Sequence, residues 1–208
     1  MKKQNSTFIT PAHTPLLIVI SGPSGIGKDA VVQALKKSED STHFVITMTT
    51  RAPRKDEVNG VDYFFVSTQE FECLIAQGEL MEHALVYSDY KGIPKAQVRQ
   101  ALASGKDVIM RLDVQGASTV RSLCPDAVLI FLTANSREEW LERLKSRHSE
   151  SAEDLALRIA TAEAEFARLQ DFDYIVVNGE CALDETVDVI KAIITAEHQR
   201  VIPRKVTL

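Results

Sequence analysis

Residues 16–28 read Leu-Leu-Ile-Val-Ile-Ser-Gly-Pro-Ser-Gly-Ile-Gly-Lys, and no other stretch of the chain restricts the fold as tightly. The opening run is apolar and partly β-branched, the pattern of a strand buried on both faces. Gly22, Gly27 and Lys28 then meet the G-x-x-x-x-G-K spacing, and a segment of helical period follows over 29–37. Strand, glycine loop and helix in that order make an anion cradle. Glycines let backbone N–H groups converge on phosphate oxygens, the helix N-terminus adds partial positive charge, and Lys28 reaches the terminal phosphates. The candidate phosphate-binding residues are therefore Gly22, Pro23, Ser24, Gly25, Ile26, Gly27, Lys28 and Asp29.

Asp29 stands where such loops normally carry a Ser or Thr hydroxyl for Mg²⁺. A further negative charge about 5 Å from a phosphate costs on the order of 3 kcal/mol at an effective dielectric of about 20. Ligation to Mg²⁺ and the helix dipole would offset that cost. The plainer alternative is an acidic residue of the first helical turn, with Mg²⁺ held elsewhere.

Beyond the loop, apolar strands at 107–112, 127–132 and 174–177 alternate with helical segments at 116–123, 137–147, 153–169 and 184–198. Short, fully apolar strands alternating with helices predict a parallel sheet covered on both faces. Between 43 and 90 the rhythm changes to strand-like pieces at 44–48, 63–66 and 80–87, with a turn at Asn59-Gly60. This predicts a small, mostly antiparallel insert. A polar interruption at 148–152 lies between two helices and reads as a flap. Two interruptions of one core suggest two ligands and a closing motion.

At 208 residues the chain has material for one substantial α/β core. A net charge of −5 argues against a general nucleic-acid or anionic-membrane surface. Residues 1–15 carry two lysines but no hydrophobic stretch after them, so they read as a flexible arm and not as a secretory signal. The three cysteines are scattered without metal-ligand spacing, which suits a reducing, cytoplasmic setting.

The sequence Thr47-Met-Thr-Thr-Arg-Ala-Pro-Arg54, followed by Glu57-Val-Asn-Gly-Val-Asp-Tyr63, resembles the acceptor site of guanylate kinases. The resemblance extends from about 16 to 199 and includes Gly78-Glu-Leu-Met-Glu82, Gly105-Lys-Asp-Val and Asp113-Val-Gln-Gly116. It implies a P-loop nucleoside monophosphate kinase fold, an α/β architecture with a parallel sheet core and helices on both faces. The domain would span 16–200, with core segments 16–46, 94–147 and 154–200. A small β-rich GMP-binding insert would occupy about 47–93 and a lid about 143–158, leaving a tail at 201–208.

The resemblance also implies roles. Arg51, Arg54 and Tyr63 would hold the 5′-phosphate of GMP, two guanidiniums and a hydroxyl suiting a phosphate monoester. Thr47 and Glu82 would read the guanine edge, the carboxylate accepting from N1–H and the 2-amino group, which adenine cannot supply. Lys91, Gly92 and Asp113 complete the GMP set, and Asp113 ends an apolar strand where a carboxylate can also face Mg²⁺. Arg143, Arg147 and Arg158 flank the flap; Asn178 matches the adenine-edge position. Lys28, Arg51, Arg147 and Arg158 would stabilise the transferring charge.

Two positions depart from the family pattern. Lys91, in Tyr90-Lys91-Gly92, replaces a phosphate-binding hydroxyl, and Arg111 stands where an acidic residue is usual near the guanine. The implied reaction is ATP + GMP ⇌ ADP + GDP with Mg²⁺, with dGMP as a further acceptor, by a monomer or homodimer without nucleic-acid or membrane partners. Two alternatives remain at this level: a ribose 1,5-bisphosphate phosphokinase, whose loop also ends Gly-Lys-Asp, and a non-catalytic guanylate kinase-like binding module.

Overall fold

The computed structural model describes residues 13–38, 42–86, 88–145 and 152–208. Strand β1 (Leu17–Ser21) is buried throughout and runs into the glycine loop and helix α1 (Lys28–Ser38). It lies at the centre of a five-stranded sheet with β2 (Thr42–Phe44), β7 (Asp107–Arg111), β8 (Val128–Thr133) and β9 (Tyr174–Val177). The order is β2-β7-β1-β8-β9 and every pairing is parallel.

Alternation along the strands assigns each residue to one of two cores. Leu16, Ile18 and Ile20 pack with Val31 and Leu35 of α1 and with helices α5 (Arg137–Lys145), α6 (Ala152–Phe166) and α7 (Leu183–His198). Leu17 and Val19 face the other way, against helices α3 (Lys95–Ala103) and α4 (Val114–Leu123). The doubly apolar reading of 16–21 thus corresponds to a strand sandwiched between two helical layers.

The remaining strands, β3 (Met48–Thr49), β4 (Phe64–Phe65), β5 (Leu80–Val86) and β6 (Asp89–Pro94), form a separate sheet in the order β4-β3-β6-β5. Two of its three pairings are antiparallel and β3–β4 is parallel. Helix α2 (Thr68–Ala76) covers it, with Phe71 buried beside Met48 and Leu80.

The run 44–48, expected as one strand, is divided between the two sheets. Phe44 ends β2 on the core sheet, and Val45 still donates to Ile109 O at 2.9 Å. Ile46 is then intercepted by the Gln97 side chain, which accepts from Ile46 N at 3.0 Å and donates to Ile46 O at 2.7 Å. With both backbone groups occupied the ladder cannot continue. Two residues later Met48 and Thr49 pair with Gly92 and Lys91 in the second sheet.

Helices α2 and α3 went unforeseen, although each carries terminal signals. Ser67 accepts from Glu70 N at 3.1 Å and caps α2, and Gly78 and Gly105 follow α2 and α3 at φ 67° and 81°. The end of the chain is docked, with Val206 and Leu208 against the second core and Arg204 on Glu197 at 2.8 Å. Of the arm expected at 1–15, residues 1–12 lie outside the described residues, as do 146–151 of the expected lid, Arg147 among them.

Candidate active site

Ile20 of β1 stands in register with Arg111 of β7, so the phosphate loop and the β7–α4 junction emerge side by side from the same edge of the sheet. The chain leaves β1 toward β2 and leaves β7 toward β8 on the opposite side. Such a reversal of strand order opens the crevice in which open α/β sheets bind ligands.

The loop needs glycine for reasons of space and conformation. Gly22 has φ 138°, and a Cβ there would sit 2.5 Å from Leu132 O; Gly27 has φ 92°, and its Cβ would meet Asn178 Nδ2 at 2.6 Å. Ile26 is wholly buried and anchors the loop in the core. Lys28 Nζ folds back to donate to Gly22 O at 2.5 Å and to Pro23 O at 3.1 Å. Trp140 Nε1 donates to Ser24 O at 2.9 Å, and Arg158 Nη2 donates to Ser24 Oγ at 2.7 Å. The helices of the expected lid region are therefore tied to the loop directly.

Asn178 is buried: its Nδ2 donates to Ile26 O at 2.8 Å and its Oδ1 accepts from Thr186 Oγ1 at 3.0 Å. These bonds make it a brace of the loop. It is the residue expected at the adenine edge, and in the free protein its side chain is hydrogen-bonded to protein partners. Arg143 Nη1 donates to Asn178 O at 2.7 Å, and its Nη2 pairs with Glu139.

The residues expected on the acceptor side meet at a hollow of ≈ 170 Å³ at the end of β7, the strand beside the one that feeds the loop. Thr47, Tyr63, Glu82, Lys91, Arg111 and Asp113 all line it. Thr47, Tyr63 and Arg111 also line an adjoining hollow of ≈ 270 Å³ that reaches Asp29. Burial, with Asp113 adding like charge, pushes the Glu82 carboxyl up to about 7. Asp113 caps α4, its Oδ1 accepting from Gly116 N at 2.7 Å. A Cβ on Gly116 would lie 3.3 Å from both Asp113 Oδ1 and Glu82 Cγ, so a small residue is what lets the two acids stand together.

Arg51 is held over the Tyr63 ring, 5.4 Å from its centroid, while Nη2 pairs with Glu57 Oε1 at 2.8 Å. That partner raises the Arg51 pKa, and Arg51 in turn lowers that of Glu57. Glu57 also accepts from Arg54 N at 2.7 Å, whereas Arg54 itself is exposed. Thus Thr47, Tyr63 and Glu82 line one hollow, Arg51 joins them through the Tyr63 ring, and the exposed Arg54 lines neither hollow. Gly92 has a packing reason of its own: a Cβ there would strike Glu82 O at 2.8 Å and Phe71 Cζ at 2.9 Å.

Two acids escaped the sequence reading. Glu57 organises Arg51 and Arg54, and its three-residue spacing from Arg54 was the available signal. Glu165 lies one helical repeat beyond Arg158 on α6, an i, i+7 relation that places both on one face. Burial raises its carboxyl pKa while Lys28 opposes the shift, and among the described residues its buried Oε2 has no hydrogen-bond partner. Asp29 pairs with Arg111, whose guanidinium pKa is lowered by burial.

The guanylate kinase family model matches residues 14–197. A curated relative, guanylate kinase 2, chloroplastic/mitochondrial, of Oryza sativa subsp. japonica, is 46% identical over 205 residues, covering 98% of this chain and 72% of its own. The guanylate kinase of Halalkalibacterium halodurans is 45% identical over 183 residues, covering 88% and 89%. Among solved structures, guanylate kinase from Anaplasma phagocytophilum superposes with a TM-score of 0.70 at 29% identity, covering 91% and 89%.

Proposed function

The chain belongs to the guanylate kinase family, and from that premise we propose that it transfers the γ-phosphoryl group of ATP to GMP across the crevice between the phosphate loop and the Glu82–Asp113 hollow. It is an enzyme, and its acceptor is GMP. The donor, the metal and the residue roles are our reading. The observation that carries them is the position of the paired carboxylates Glu82 and Asp113, which line a hollow adjoining the strand that feeds the glycine loop.

In this reading an anionic oxygen of the GMP phosphate attacks the γ-phosphorus in line. The bond from that phosphorus to the β–γ bridging oxygen breaks, and ADP departs with the electron pair. No general base is needed, because the attacking oxygen is already anionic near neutral pH. Loop N–H groups and Lys28 hold the donor phosphates, while Arg51 and Tyr63 hold the acceptor phosphate, with Arg54 and Lys91 as further cations. Glu82, ionised on binding, accepts from the guanine N1–H and 2-amino groups, with Thr47 beside it. Arg158 bridges to the loop through Ser24, and Arg147 would act with it, although that residue lies outside the described segments.

Mg²⁺ suits the oxygen donors at the two strand–helix junctions, Asp29 and Asp113, both exposed. When bound it would neutralise charge on the donor phosphates. Arg143 positions the loop through Asn178 and Glu139. We place the activity in a reducing compartment such as the cytoplasm, in keeping with three free cysteines; no described helix is long and apolar enough to cross a membrane.

The test is a coupled ADP-release assay with GMP, dGMP, AMP, IMP and ribose 1,5-bisphosphate as acceptors. Turnover is expected with GMP, to a lesser degree with dGMP, and not with AMP or the sugar phosphate. Turnover of ribose 1,5-bisphosphate with none on GMP would reject the reading.

A further inference from the structure

The geometry points to Arg111 as the counter-charge that lets a phosphate loop carrying Asp29 accept a triphosphate, so that residues 29 and 111 act as one unit. This inference rests on the proposed binding of ATP at that loop. Asp29 is the second residue of α1, directly after Lys28, and its side chain is 72% exposed. A carboxylate at that place stands close to the anion that the loop is built to hold. Left alone it opposes a triphosphate: the Coulomb cost at an effective dielectric of about 20 converts to somewhat over 100-fold in dissociation constant, and solvent screening of so exposed a side chain brings it to roughly 10–100-fold.

Arg111 reaches this carboxylate from another element. It ends β7, and its guanidinium Nη1 contacts Asp29 Oδ1 across the gap between strand and helix. The other nearby cations are engaged elsewhere. Lys28 bonds to the carbonyls of Gly22 and Pro23, and Lys36, on the wall of the larger hollow, lies over the Phe44 ring at 5.7 Å.

The pair contributes little to holding the fold, because exposed ion pairs are weak. Its consequence is electrostatic. With Arg111 in place the junction is locally neutral; with Arg111 removed, Asp29 becomes a bare negative charge at the mouth of the loop. Arg111 is a positioning residue that acts through Asp29.

A double-mutant cycle separates this role from direct contact with nucleotide. Dissociation constants for a fluorescent ATP analogue and for GMP are measured separately in EDTA for wild type, R111A, D29S, D29S/R111A and R111K. R111A is expected to weaken binding of the ATP analogue about 10–100-fold, and D29S/R111A to return it to within about threefold of wild type. Arg111 also lines the acceptor hollow, so GMP affinity is followed as a separate readout, and the rescue in D29S/R111A is expected for the ATP analogue. R111K, which keeps the charge, binds the analogue like wild type, and melting curves by circular dichroism verify that each variant is folded. The gap between R111A and wild type narrows at about 0.5 M KCl, where an exposed charge is screened. An R111A defect that persists in D29S/R111A would mean that Arg111 touches the nucleotide itself and would overturn the inference. So would an R111A protein that binds the analogue normally, or one whose defect is confined to GMP. Failure of the wild-type protein to bind the analogue would sink the proposed donor site instead.

Discussion

The amide of Asn178 occupies the space that a side chain on Gly27 would need: a Cβ there would lie 2.6 Å from Asn178 Nδ2, the same atom that donates to Ile26 O. One buried residue at the end of β9 therefore sets the height of the phosphate loop. Asn178→Ala removes the partner of a buried carbonyl and is expected to cost about 1–3 kcal/mol in stability. Gly27→Ala combines that collision with a left-handed backbone, a strain of about 1–3 kcal/mol at a non-glycine residue. Thermal melting and KM for ATP should move together in both variants; an altered KM for GMP alone would contradict the assignment.

Acceptor binding should depend on pH through Glu82. Its folded carboxyl lies near 7, so the free enzyme holds a proton there that the unfolded chain has released. Stability should therefore fall as pH rises from about 4.3 toward 7, since the folded state binds the extra proton in that window. Accepting two hydrogen bonds from guanine needs the ionised form, so kcat/KM for GMP should rise through neutral pH. The GMP phosphate titrates near pH 6, and Glu82→Gln isolates that contribution: its profile should lose the inflection near 7.

Arg158 reaches the loop through Ser24 Oγ at 2.7 Å. Arg158→Ala should lower kcat by about 10²–10³-fold if the guanidinium stabilises the transferring charge. Its melting temperature should change little. A loss confined to KM for ATP would indicate a binding role only.

Gln97 joins the two sheets by holding both backbone groups of Ile46. Gln97→Leu keeps the bulk but leaves a donor and an acceptor unsatisfied, at about 1–3 kcal/mol for each group that stays buried. Because Ile46 lies between the core sheet and the second sheet, on which the GMP site is proposed, KM for GMP should rise more than KM for ATP. Equal changes in both would mean that the clasp is only structural.

The docked tail carries a larger share of stability. Glu197 is 1% exposed at its side chain and accepts from Arg204 at 2.8 and 2.9 Å and from Tyr174 OH at 2.7 Å. Arg204→Ala leaves that carboxylate to Tyr174 OH and to Arg200 at 3.6 Å, so the cost should lie at or below the about 3–5 kcal/mol of breaking a buried pair. Arg204 and Tyr174 hold the Glu197 carboxyl below its ordinary range. Its contribution is thus present above the unfolded pKa and is lost as pH falls. Urea melts of wild type and Arg204→Ala should converge in acid; a constant gap would place the stabilisation elsewhere.

Much of this protein follows from local pattern. Short, fully apolar strands alternating with period-3.6 helices demand a covered parallel sheet, and a glycine loop between strand and helix demands an anion, whatever the rest of the chain does. The residues proposed for the acceptor, Thr47, Arg51, Tyr63 and Glu82, stand out for a different reason: their order and types follow the pattern of a known family, and their scatter over some 35 positions has no local explanation. Tertiary structure decided what those residues touch. Asn178 turns inward because Ile26 O and Thr186 lie within its reach. The run at 44–48 divides because Gln97, some fifty residues later, fills the bonds that would have continued the strand. Asp29 finds its counter-charge on β7, more than eighty residues away. Propensity and periodicity act over a few residues, whereas a hydrogen bond or an ion pair is decided by whichever partner the fold carries to within about 3 Å.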